Sequence, residues 1–221
     1  NDGHRNIAIG ADAMGAVNAG THNSAEVDDN IAIGKNALLG ASFGSGDLQL
    51  VGNIAIGSYT LDALGSAELT GVVAIGHSAG TAINHANAQG GTYVGYEAGK
   101  AVTSGGHNTG IGYQALEDLS TGAYNTAVGS VSLQNAEVSA DDVTFEIVIG
   151  TTDAFGDAFT GGGTETVRIG NDTDYYTLDF GESGQSWTHS SDRRIKKDIE
   201  DSELGLDFIN DLRPVTFKKK A

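Results

Sequence analysis

The apolar residues of this chain recur in a short cassette set in polar surroundings. Asn-Ile-Ala-Ile-Gly stands at residues 6–10, 30–34 and 53–57, and looser copies end at Gly76, Gly95, Gly112, Gly129, Gly150 and Gly170. The nine copies lie 24, 23, 19, 19, 17, 17, 21 and 20 residues apart. A period near twenty marks a stacked, elongated architecture rather than a globule around one centre.

Aligned on the glycine, two columns are β-branched. The residue before it is Ile9, Ile33, Ile56, Ile75, Val94, Ile111, Val128, Ile149 or Ile169. The residue three before it is Ile7, Ile31, Ile54, Val73, Thr92, Thr109, Thr126, Ile147 or Val167. Between them stands mostly Ala, but also Tyr93, Gly110 and Arg168. Two β-branched positions around a variable one predict a short strand with one buried face, which assigns the column from Ile9 to Ile169 to the core. The glycine tolerates φ > 0 and ends the strand. A small-then-apolar pair follows as Ala13-Met14, Ala37-Leu38, Ala115-Leu116 and Ser132-Leu133, with Ala79-Gly80 and Ala98-Gly99 as smaller versions. This pair predicts a second inward contact. The Asn before several strands is expected to bond its own backbone and hold the turn.

Each unit offers only three or four apolar side chains. At about 25 cal/mol per Å² of apolar area, that cannot offset the ordering of one repeat, so repeats must stack on one another. The pattern leaves two packings open: a single-chain β-solenoid or β-roll, or three interwound chains with the β-branched residues on a common axis. The scarcity of aromatic and long aliphatic side chains per turn favours a trimer. The expected fold is an all-β, elongated homotrimeric repeat fibre with a short C-terminal α+β segment.

The position after the glycine varies freely: Ala11, Lys35, Ser58, His77, Tyr96, Tyr113, Ser130, Thr151, Asn171. Such a column faces solvent. His77, Tyr96 and Tyr113 occupy it in consecutive repeats, and a ladder of exposed rings can stack on sugars, although ordinary surface or inter-chain packing is the simpler expectation. The last two copies lack the following Ala-Leu pair, and Phe145, Phe155, Phe159, Tyr175, Tyr176, Phe180 and Trp187 collect around them. Residues 1–140 therefore read as a repetitive shaft and 141–190 as an aromatic-richer neck.

Charge narrows the partners. The chain carries a net charge of −17, with 22 acidic and 4 basic side chains in residues 1–190 against 7 and 8 in residues 191–221. An acidic rod repels nucleic acid, whose phosphates need Lys and Arg. There is no cysteine and hence no disulfide or thiolate chemistry. No apolar run is long enough to cross a membrane. The chain opens at Asn1 and is expected to be part of a longer protein. Six histidines show no paired metal-ligand spacing, and no metal site is expected from them. Asp172 and Asp174 offer oxygens to Ca²⁺, but Asn171–Asp174 is also a good turn sequence. Asp28-Asp29 and Asp141-Asp142 read as loop charges rather than a catalytic dyad.

The composition changes at Ser191-Asp192-Arg193-Arg194-Ile195-Lys196-Lys197-Asp198-Ile199. Leu204, Phe208, Ile209 and Leu212 then form a helical stripe behind Asp201 or Ser202 as N-cap, Pro214 ends it, and Val215–Lys218 reads as a strand. This order, closing on Leu-Arg-Pro-Val-Thr-Phe, resembles the start of the endosialidase-type intramolecular chaperone domain found at the C-terminus of phage tail fibres, tailspikes and neck appendages. The resemblance implies a domain that helps three chains trimerise and then cuts itself off at Ser191-Asp192. It also implies Ser191 as nucleophile and Lys196 as its partner. The chemistry suits the residues: a serine hydroxyl needs an adjacent base, and Arg193, Arg194 and Lys197 can lower a lysine's pKa. The family's domain is longer than these thirty residues, and Lys218–Lys220 stand where an aromatic is usual.

The upstream cassettes are similar to those of phage fibre shafts and of trimeric autotransporter adhesin heads. The resemblances together imply a homotrimeric component of a virion tail, joined to other tail proteins. It would attach to a host-surface receptor, either a glycan or an outer-membrane component. They imply intramolecular serine-type cleavage and no activity on external substrates. The alternatives are a bacterial trimeric surface adhesin and a non-catalytic part of a glycan-depolymerising tailspike.

Overall fold

A computed structural model describes residues 5–15, 17, 26–40, 49–64, 68–134, 143–152, 159–180 and 188–189. The chain divides into two units, 1–190 and 191–221. The second, with the expected helix and strand, lies outside the described residues.

Each cassette forms one short strand. In chain order the strands are β1 (Ile7–Ile9), β2 (Glu26–Asp28), β3 (Ile31–Ile33), β4 (Gln49–Val51), β5 (Ile54–Ile56), β6 (Leu69–Thr70), β7 (Val73–Ile75), β8 (Thr92–Val94), β9 (Thr109–Ile111), β10 (Thr126–Val128), β11 (Ile147–Thr151), β12 (Thr166–Asn171), β13 (Tyr175–Asp179) and β14 (Thr188–His189). The cassette strands stack in parallel and in register, with Ile7 beside Ile31, Ile31 beside Ile54, and so on to Ile147 beside Val167. They build one sheet in the order β1-β3-β5-β7-β8-β9-β10-β11-β12-β13-β14, while β2, β4 and β6 form a second, smaller sheet. The architecture is a β-solenoid, in which a single chain stacks on itself rather than being interwound with others.

The glycine column fixes how closely the turns approach. Gly76 adopts φ +135° and Gly95 φ +144°. A Cβ at Gly76 would overlap the carbonyl oxygen of Gly95, and the same clash repeats from Gly10 to Gly150 with the next glycine in line. No residue with a side chain fits there, which explains the cassette's invariant last position.

The buried face is the opposite of the one expected. The residue between the β-branched pair points inward, and Ala32, Ala55, Ala74, Tyr93, Ala127 and Val148 are fully buried. The columns assigned to the core point outward. Ile9, Ile111, Ile149 and Ile169 are exposed (Ile9 by 58%), and Ile33, Ile56, Ile75, Val94 and Val128 are half-buried. The reason is the narrow interior. Alanine faces alanine along the strand wall, and the volume is filled from the turns by Leu38, Leu61, Leu116 and Leu133, and from the second sheet by Val27, Leu50 and Leu69. The Ala-Leu pair is thus an inward contact as predicted. A single chain builds a continuous core from small residues, so the scarcity of large side chains per turn, which favoured a trimer, is met within one chain.

One layer departs from this rule in a self-consistent way. Tyr93 replaces the inward alanine and is fully buried. Around it the usual leucines become Gly80 and Gly99, and the usual asparagine becomes Gly91. A Cβ at Gly91 or Gly99 would strike the Tyr93 ring, and one at Gly80 would touch it. The ring occupies the volume that several neighbouring side chains fill in other layers.

The asparagines also act differently from expectation. Asn108 Nδ2 does donate to Gly105 O of its own turn at 3.1 Å, but the column mainly bonds the neighbouring turns. Asn30 Nδ2 donates to Leu50 O at 2.7 Å and to Asn6 Oδ1 at 3.1 Å, and Asn53 Nδ2 donates to Leu69 O and Asn30 Oδ1 at 2.8 and 3.0 Å. Asn53 Oδ1 accepts from Val72 N, and Asn125 Oδ1 accepts from Glu146 N, each at 3.0 Å. The ladder satisfies backbone groups that would otherwise be orphaned at each buried corner. Beyond β12 the chain reverses, and β13 pairs antiparallel with it. Asn171 Oδ1 holds this hairpin turn, accepting from Thr173 N, Thr173 Oγ1 and Asp174 N at 3.0, 2.9 and 2.8 Å. The Asp172–Asp174 segment is thus a structured turn.

Removing the ring in Tyr93→Ala should cost about 3–5 kcal/mol, because its glycine neighbours cannot refill the space. Tyr93→Phe should hold or raise stability, since the buried hydroxyl has no hydrogen-bond partner among the described residues. Denaturant unfolding of the two variants checks both statements.

Candidate functional site

The solenoid turns each equivalent position into a column with a strand-to-strand spacing of roughly 4.8 Å. Flat rings at equivalent positions must then stack with a small offset. The column after the glycine does this. His77 and Tyr96 stack at 5.4 Å with 14° between planes, and Tyr96 and Tyr113 at 5.5 Å with 10°. Tyr59, two residues after its glycine, meets His77 edge-on at 5.7 Å, and Lys35 Nζ donates to the Tyr59 hydroxyl at 2.9 Å. Tyr96 and Tyr113 are exposed by 45% and 51%. The three predicted residues are therefore brought together, but their faces cover one another and the ring edges meet solvent.

Two of the four cations of the solenoid unit, Lys100 and Arg5, are placed against carboxylates. Lys100 lies 3.2 Å from Glu97 and 3.3 Å from Glu117, and its hydrogen bond to Glu97 holds its pKa up. Gln114 Nε2 donates to Glu97 at 3.0 Å. At the other end of the rod, Arg5 Nη2 donates to Asp29 at 2.8 Å.

A second ladder escaped the sequence reading. His107 and Tyr124 stack at 5.1 Å with 17° between planes, and Tyr124 and Phe145 at 5.0 Å with 11°. All three adopt left-handed backbone conformations, φ 58–61°, at the corner before the strand. The same column holds Gly52, Gly71 and Gly90, with φ 67–68°. A signal was present in the sequence: these rings are 17 and 21 residues apart, the spacings of the glycines that follow them. The ring column simply precedes the cassette instead of following it.

Glu146 takes the asparagine position in its turn and is fully buried. Its Oε1 accepts from Gly163 N at 3.1 Å, Thr166 Oγ1 at 3.0 Å and Gly162 N, while Oε2 has no partner. Burial pushes its carboxyl above the ordinary value, against the opposing pull of these donors. Nearby, the Arg168 guanidinium lies over the Tyr175 ring at 4.4 Å and Nη1 donates to Thr160 O at 2.9 Å. No group of three or more His, Asp or Glu able to hold a metal occurs among the described residues.

The expected cleavage residues Ser191, Asp192 and Lys196 lie outside the described residues, at the start of the second unit. Residues 191–221 match the family model described as chaperone of endosialidase. The chaperone match begins at the residue after the one where the solenoid unit ends, and so agrees with the fibre-plus-chaperone organisation read from the sequence. Neither the curated proteins nor the solved structures yielded a match to the chain.

Glu146 should leave a signature in pH. Its folded pKa is raised, so the native state keeps a proton that the unfolded chain releases above the ordinary value of 4.5. Stability is therefore lost as pH rises from there through the folded value. In Glu146→Gln that loss should vanish, and the variant should gain on the wild type as pH rises through this window. Thermal unfolding over a pH series checks it; parallel curves would refute the assignment.

Proposed function

We propose that this chain is the distal shaft of a homotrimeric phage tail fibre or tailspike, which carries the virion to the host surface. The carrying observation is the sequence of parts: a β-solenoid followed directly by a segment that matches the chaperone of endosialidase. A rigid repetitive rod supplies reach, and a trailing chaperone supplies assembly.

The outward columns support the trimer. A parallel sheet is normally covered on both faces, yet the outer face of this one carries Ile7, Ile9, Ile111, Ile147, Ile149 and Ile169 exposed to solvent. An apolar strip running the length of a rod marks an interface. Each copy presents the same strip along the same axis, so three copies close around a threefold axis with no edge left open. The β-branched residues are then the core of the trimer rather than of the chain. Weak sites on such a trimer gain avidity. At the junction the Ser191 hydroxyl attacks a backbone carbonyl while Lys196 takes its proton; an ester forms as the peptide C–N bond breaks, the freed amine receives the proton, and water hydrolyses the ester, so the chaperone is released after assembly.

Sedimentation should give three chains per particle; a monomer would remove the fibre reading. Ile111→Asp should dissociate the trimer while each chain keeps its solenoid circular-dichroism spectrum, because three carboxylates would meet near one axis. In the full-length gene, Ser191→Ala should leave the chaperone attached on a denaturing gel, and unchanged cleavage would show that another residue is the nucleophile.

A further inference from the structure

Beside the second ladder the surface opens into a cleft of about 320 Å³. It crosses three successive turns. It is lined by Asn87 and Gln89 from one turn, Ser104, Gly106 and His107 from the next, and Thr121, Ala123 and Tyr124 from the third. The backbone of the lining is already committed: Gly106 O accepts from Tyr124 N at 3.0 Å, and Ala123 O from Phe145 N at 3.2 Å. Gln89 O likewise accepts from His107 N at 3.0 Å. The side-chain amides of Asn87 and Gln89 and the hydroxyls of Ser104 and Thr121, by contrast, make no hydrogen bond to another described residue.

The lining therefore offers unused amide and hydroxyl donors and acceptors beside a stack of aromatic rings. It contains no carboxylate and no Lys or Arg, although the solenoid unit as a whole is strongly acidic. That chemistry does not select phosphate, a carboxylated ligand or a metal ion. It matches a neutral sugar, whose hydroxyls need amide and hydroxyl partners. The faces of Tyr124 are covered by His107 and Phe145, so Tyr124 bounds the cleft with its edge rather than offering a stacking platform. The cleft's course along the stack suits a chain of sugars lying parallel to the axis, with one turn, roughly 4.8 Å, as the step between equivalent side chains.

We propose that this cleft is a binding site for an uncharged oligosaccharide, with Asn87, Gln89, Ser104 and Thr121 as its hydrogen-bonding residues and Tyr124 and His107 as the rings that bound it. The proposal rests on the host-attachment reading and gives it a location. It moves recognition away from His77, Tyr96 and Tyr113, whose ladder is flanked by the charged Glu97–Lys100–Glu117 network rather than by free amides.

The column itself supplies variants that keep the fold. Gly52, Gly71 and Gly90 occupy the same left-handed corner in other turns, so Tyr124→Gly and His107→Gly place a residue already native to that position. Thr121→Phe adds bulk to the lining of the cleft and leaves the ladder residues unchanged. The full chain is tested on an array of neutral hexose and N-acetylhexosamine oligosaccharides beside sialylated and other anionic glycans. Binding to a neutral glycan is expected. It should fall at least tenfold in Tyr124→Gly and in Thr121→Phe, and stay within twofold in Tyr96→Ala.

Three results would each overturn the assignment: no neutral glycan bound, binding confined to anionic glycans, or binding that survives both cleft variants. Trimer loss in Tyr124→Gly or His107→Gly would show instead that a second copy of the chain fills the cleft, and would also overturn it. The attachment reading fails separately: its trimer is read by sedimentation, and a trimer whose glycan binding maps to Tyr96 would sink this site while leaving that reading intact.

Discussion

The structure depends on how closely successive turns approach at the glycine column. From Gly10 to Gly129 each cassette glycine sits with φ between +129° and +144° under the carbonyl oxygen of the next, where any Cβ would overlap it. This contact holds successive turns close and in register, while the interior between the walls is narrow. The narrow interior then accepts alanine on the strand wall and leucine only from the turns. Tyr93 tests the rule, since a large residue is admitted only where Gly80, Gly91 and Gly99 vacate the surrounding volume.

The same register organises everything outside the core. Equivalent residues must align, so any recurring side chain becomes a row along the axis. Asparagines become a buried hydrogen-bond ladder, β-branched residues an exposed apolar strip, and rings two stacked columns. A row repeats one surface along the solenoid, and it lets loops of variable length differ without disturbing the stack. The parallel edge is closed where β13 turns back on β12, and Glu146 replaces asparagine one turn earlier. The polar ladder is thus modified where regular stacking gives way to the hairpin.

Much of this was legible in the residues. The period, the strands, the ending glycine, the inward Ala-Leu pair and the change at Ser191 all follow from local rules about side chains and backbone. The Tyr96–Tyr113 ladder was visible because its column follows the most regular residue of the repeat. The His107–Tyr124–Phe145 ladder was hidden because its column changes from Arg5 and Asp29 through three glycines to aromatics, so no composition marks it.

By itself the sequence determined that the chain is a stacked β rod and that its character changes after residue 190. Only the tertiary structure decided which face is inside. A strand with period two has two faces, and hydrophobicity alone assigns the larger side chains to the core. The distance between opposing walls decides otherwise. The narrow interior, filled from the turns by side chains such as Leu61, leaves room for Ala55 on the strand wall, and Ile54 and Ile56 face outward.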